Sequence, residues 1–138
     1  MRTKLTSKHS ILCVFAIACS ALPALAQVPG GSKTFTGTTT GAFSLSSISN
    51  KDSVSGQFCL GFGDHKPDHV FELQSAVPNM KFRLESSANT TLLIQLPNKQ
   101  VRCGGTTIQG TDWPAGTYNI SVGSIESGQQ HRYTLHVE

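Results

Sequence analysis

From Met80 to Cys103 the chain reads MKFRLESSANTTLLIQLPNKQVRC, and apolar residues occupy alternate positions. Phe82 and Leu84 alternate with Lys81, Arg83 and Glu85, and Leu92, Ile94 and Leu96 alternate with Thr91, Leu93 and Gln95. Successive side chains of an extended chain point to opposite faces, so a period of two predicts strands with one buried face. Ser86-Ser87-Ala88-Asn89-Thr90 is a small polar connection between them, which predicts a central hairpin. Pro97-Asn98-Lys99 makes a second reversal into Val101–Cys103. The same alternation recurs in Val54, Gly56, Phe58, Leu60 and Phe62, in Phe71 and Leu73, in Tyr118, Ile120 and Val122, and in Tyr133, Leu135 and Val137. No helical period accompanies it. Strands spaced roughly 8–12 residues apart predict an all-β fold, an antiparallel, jelly-roll-like β-sandwich. A chain of 138 residues has room for one such domain.

The N-terminal residues read as a targeting segment. Arg2, Lys4 and Lys8 precede an apolar run from Ile11 to Leu22, and Ala24-Leu25-Ala26 has the small-x-small form of a cleavage site. Residues 1–26 are therefore expected to be a signal peptide, with a mature chain from Gln27. The apolar run is shorter than the roughly 20 residues that span a bilayer, so no membrane span is expected. A lipoprotein site at Cys19 is the alternative, and either route leads to a secreted or periplasmic protein. Residues 27–52, rich in Ser, Thr and Gly, read as a flexible lead-in with possible first strands, and residues 53–138 as the sandwich.

Cleavage also changes the charge. It removes three of the 11 Lys and Arg and none of the eight Asp and Glu, leaving a formal net charge of zero. No basic stripe survives for a nucleic-acid or anionic-membrane partner. Cys13 and Cys19 lie in the targeting segment, leaving Cys59 and Cys103 as the mature pair. Two cysteines in an exported chain most simply form a disulfide. It would close a loop of about 45 residues, worth roughly 4 kcal/mol by chain entropy.

Chemistry-bearing residues are few. His65 and His69 have HxxxH spacing, but Pro67 lies between them and the flanks read as strand, so a solvated loop is expected. Asp64, Asp68 and Asp112 carry oxygen ligands suited to calcium, yet lack the spacing of a known calcium loop. Trp113, before Pro114-Ala115-Gly116, is expected to plug the end of the sandwich, with stacking on a sugar as the alternative. No nucleophile elbow is present, and no catalytic residue is assigned.

Read in order, PDHVFEL, MKFRLESSANTTLLIQLP, WPAGTYNISVG and HRYTLHVE resemble the bacterial pre-peptidase C-terminal domain, a β-sandwich related to the collagen-binding domains of bacterial collagenases. The resemblance covers about residues 53–138. It implies a non-catalytic accessory module that in places binds calcium or a polymeric substrate. Asn89 stands where the family often has an acidic residue, and Gly104-Gly105 where acidic residues are common, so no cofactor is expected and folding should not need calcium. The expected function is a monomeric, non-enzymatic module that binds a protein, a polysaccharide or another envelope component. The alternatives are a carbohydrate- or calcium-binding module using Trp113, the three aspartates or Asn89, or a small secreted enzyme or enzyme inhibitor.

Overall fold

The computed structural model describes residues 31–138. The expected signal peptide and the lipoprotein alternative at Cys19 lie outside the described residues. Ten strands follow in chain order: β1 (Lys33–Thr38), β2 (Phe43–Ser44), β3 (Phe62–Gly63), β4 (His69–Leu73), β5 (Val77–Ser86), β6 (Thr90–Gln95), β7 (Val101–Gly104), β8 (Thr107–Trp113), β9 (Gly116–Ser124) and β10 (Arg132–Val137). A short 3₁₀ turn, Leu45–Ser47, follows β2. The strands form two antiparallel sheets. One has the order β1-β10-β5-β8; the other runs β2-β3-β9-β6-β7, with β4 also paired to β9. The all-β antiparallel sandwich expected from the alternation is the observed fold.

The inward series of both sheets meet in one core. Phe82 and Leu84 of β5, Ile108 of β8, and Tyr133, Leu135 and Val137 of β10 pack with Phe71 and Leu73 of β4, Leu92 and Ile94 of β6, and Tyr118, Ile120 and Val122 of β9. Burying each aliphatic or phenyl side chain contributes about 1.5–3 kcal/mol, and a one-residue slip of any strand would expose its whole set. That combination fixes the register.

Three sequence expectations are corrected. First, β5 and β6 are not a hairpin. β5 pairs with β10 and β8 in one sheet, whereas β6 pairs with β9 and β7 in the other. The polar connection after Ser86 carries the chain across the sandwich. Second, the alternating segment from Ser53 is not a strand. Val54, Phe58 and Leu60 are exposed, and only Phe62 at its end enters a strand. Third, β6 is buried on both faces. Leu93 points away from the main core into a second cluster with Leu45, Val101, Cys59 and Cys103. The lead-in thus becomes part of the fold: β1 borders one sheet, and Leu45 is fully buried against the other.

Denaturation of point variants tests both cores. Ile120→Ala and Leu93→Ala are each expected to cost about 2–5 kcal/mol, the range for emptying a packed aliphatic site. Arg132→Ala and Thr134→Ala, on the outward phase of β10, should cost about 0.5 kcal/mol or less. A Leu93 variant as mild as Arg132→Ala would remove the second core.

Candidate functional site

The segment from Asn50 to Leu60 lies over the second sheet and is held at many points. Cys59 is bonded to Cys103 of β7, as expected from the cysteine count. Asp52, 3% exposed, supplies the other anchor. Its Oδ1 accepts the N–H groups of Val54 at 2.8 Å and Ser55 at 2.7 Å, an Asx-type turn. Its Oδ2 accepts the Cys103 N–H at 2.9 Å and Arg102 Nε at 3.0 Å. Burial alone would raise the Asp52 pKa, but the N–H groups of Ser55, Cys103 and Val54, together with the Arg102 guanidinium, lower it to about 2.

Backbone pairing completes the clamp. Ser53 N–H donates to Val101 O at 2.7 Å, and Ser53 Oγ accepts the Val101 N–H at 2.8 Å. These bonds cap the outer edge of β7, which would otherwise present free pairing groups. Asp52 N–H donates to Gln57 O, and Cys59 N–H to Asn50 O. Gly61 leaves the loop at φ +106°, where a Cβ would lie 2.2 Å from Thr91 Oγ1; only glycine fits there.

Held this way, the loop directs apolar side chains outward. Val54 is 68%, Phe58 69%, Leu60 64% and nearby Ile125 46% exposed. Phe58, Leu60, Ile125, Thr91 and Gly104-Gly105 line a groove of about 470 Å³ that contains no charged residue. Lys51 Nζ lies 5.2 Å from the Phe58 ring centre. Grouped apolar exposure of this kind marks interaction surfaces, whereas isolated exposed side chains do not.

The residues singled out from sequence lie elsewhere. Trp113 is 1% exposed, packed against Phe82 and Tyr118 with the Arg102 guanidinium over its ring, so it plugs the core and offers no sugar platform. Asp68 accepts the Val122 N–H at 2.7 Å and is pushed up by burial, with the Asp64 charge adding to the shift. Asp64 accepts the Thr40 hydroxyl. Asp112 is exposed, at φ 58°, at the Trp113 end of β8. Asp64 and Asp68 are therefore close together, and Asp112 stands apart from them. Asn89 lies exposed in the β5–β6 connection.

The histidines part ways. His65 is exposed in the loop after β3, as expected, with its ring tilted beside Phe43. His69 instead opens β4, where its Nε2 lies 2.8 Å from Tyr133 Oη and its ring packs on Phe35. Burial lowers the His69 pKa and raises that of Tyr133. This aromatic seam joins the two sheets through partners already engaged with one another. Among the described residues, no group of three His, Cys, Asp or Glu is placed to hold a metal ion. No helix there is long and apolar enough to cross a membrane.

Sequence reasoning missed Val54, Phe58 and Leu60 as surface residues, and Asp52 altogether. Their alternation imitates a strand, but the flanking run Asn50-Lys51-Asp52-Ser53 and Ser55-Gly56 is rich in turn formers, which was the available signal.

No protein-family model matches the chain, and no curated protein matches it. Among solved structures it is similar to PliG of Aeromonas hydrophila, a periplasmic lysozyme inhibitor of g-type lysozyme. The two are 18% identical with a TM-score of 0.49, over 82% of this chain and 91% of that one.

Asp52→Asn tests the clamp. Because the folded pKa is depressed below 3.8, the ionised carboxylate adds stability that is present above that value and lost as pH falls through about 2. The variant is expected to lose roughly 1–3 kcal/mol at neutral pH, since buried donors are left poorly paired. Urea denaturation at pH 7 and pH 2 should show the difference between the two proteins shrinking with acid. An equal difference at both pH values would contradict the assignment.

Proposed function

We propose that this protein is an exported, non-catalytic binding protein that engages a partner protein through the apolar loop bearing Val54, Phe58 and Leu60. One observation carries the reading: these side chains are exposed on a backbone fixed by a disulfide, a buried carboxylate and edge pairing. A loop already held in its binding conformation loses little entropy on association, so its apolar area contributes more fully to affinity. Phe58 is the natural anchor, because aromatic side chains bury much area with few torsions to freeze. The resemblance to the pre-peptidase C-terminal domain suits the same reading, since that family consists of accessory modules without active sites. The titratable groups agree with it as well: Asp52 and Asp68 are taken up by backbone N–H groups, and His69 is paired with Tyr133.

A narrower reading makes the partner an enzyme and the protein its inhibitor. It is favoured by the loop's combination of rigidity and outward apolar side chains, which is what blocking a cleft requires. Both readings place the contact on the same residues.

The test is capture of proteins from an envelope extract by immobilised mature protein, set against Phe58→Ser/Leu60→Ser. The wild type should retain a defined, protease-sensitive partner. The double variant, folded by its melting curve, should bind it at least about 30-fold more weakly, the loss expected when a hot spot of about 2 kcal/mol is removed. Equal capture by the double variant, or retention of polysaccharide alone, would overturn the proposal.

A further inference from the structure

Four strands exhaust their apolar residues at the same end of the sandwich. The inward series of β5 runs Phe82, Leu84 and then Ser86. That of β6, followed toward its start, runs Ile94, Leu92 and then Thr90. β9 runs Ile120, Val122 and then Ser124, and ahead of Leu135 and Tyr133 of β10 the same phase reaches His131. Thr90 stands directly opposite Ser124, and Ser86 opposite Tyr133. The other end is sealed by Trp113, Leu73 and Val77, all buried. One end of the interior is therefore apolar and closed, and the other is polar and open.

The open end is a cup of about 410 Å³ lined by Ser86, Ser87, Asn89, Ser124, Glu126 and His131. That volume lies within the roughly 300–1,000 Å³ of small-molecule sites. Its walls are fixed. Ile125 N–H donates to Asn89 O at 3.1 Å, Ser86 Oγ to Arg132 O at 2.9 Å, and His131 N–H to Thr39 Oγ1 at 2.9 Å. Thr39 is fully buried and donates in turn to Gln129 O at 2.8 Å.

Inside this frame, hydrogen-bonding capacity is left over. Ser124 is 3% exposed; its Oγ accepts the Glu126 N–H at 3.3 Å, and its own proton remains to be donated. The buried Thr90 hydroxyl beside it has no partner among the described residues. The side chains of Ser87, Asn89, Glu126 and His131 make no hydrogen bond or ion pair with a described residue, although all converge on the cup. Buried polar groups are normally satisfied, so the unused capacity of buried Ser124 and Thr90 points to what the cup receives, while Ser87, Asn89 and Glu126 stand exposed at its rim.

The lining selects the ligand class. Hydroxyls, an amide, an imidazole and one carboxylate offer mixed donors and acceptors, while no Lys or Arg lines the cup for an anion and no aromatic ring for a planar apolar group. We propose that the cup binds the end of a neutral saccharide, with Glu126 and Asn89 taking adjacent ring hydroxyls and Ser124 bonding from the floor. The site is separate from the apolar loop and does not depend on that reading.

The test is titration of ¹⁵N-labelled mature protein with the methyl glycosides of glucose, galactose and N-acetylglucosamine, followed by amide shifts. At least one sugar should give saturable shifts at Asn89, Ser124, Glu126 and His131, with a Kd of about 1 mM or tighter. Glu126→Gln should weaken that sugar about tenfold, the share of one charge-assisted hydrogen bond, while Phe58→Ser leaves it unchanged. Absence of saturable shifts with all three sugars, or shifts that Glu126→Gln and Asn89→Ala leave intact, would overturn the proposal. Either result leaves the capture experiment on the apolar loop untouched.

Discussion

The carboxylate of Asp52 is the interaction on which the distinctive half of this structure depends. A buried charge is tolerated only when its lone pairs are filled, and here four donors from two distant stretches of chain fill them. Two of those donors shape the loop itself, and two belong to β7. Satisfying the charge therefore means laying residues 50–60 across the outer face of the second sheet. Once they are there, Leu93 has neighbours on its far side, the edge of β7 is capped, and Cys59 is brought to Cys103. The Arg102 side chain extends the same network to Trp113, linking the outer layer to the main core.

The fold class was legible in the sequence because strand alternation is local and core parity is strict. Tyr118, Ile120, Val122, Tyr133, Leu135 and Val137 all lie inward on the faces their spacing implied. Sheet membership was not legible. Whether β5 pairs with β6 or crosses to β10 depends on partners some 50 residues away, and a short polar connection suits both. Leu93 illustrates the same limit: nothing near it announces a second layer built from Leu45, Cys59 and Val101.

The candidate site was largely hidden for a related reason. Val54, Phe58 and Leu60 have the period of a strand, and what holds them outward is the Asp52 carboxylate, the Cys59–Cys103 bond and the Ser53–Val101 pairing, all made to β7 far along the chain. Trp113 was easier to read. A lone tryptophan before a Pro-x-Gly turn suits the end of a sandwich, and two facing sheets do receive it as their plug. The cysteine pair needed no such context, being the pair that remains once residues 1–26 are read as a targeting segment.

The central claim is that the clamp makes the apolar loop a rigid presenting surface, and ¹⁵N relaxation of the oxidised mature protein tests it most directly. Backbone order parameters for residues 51–60 should match those of β6 and β9, at about 0.85. Values below about 0.6 across Val54–Phe58 would show a flexible loop and contradict the account.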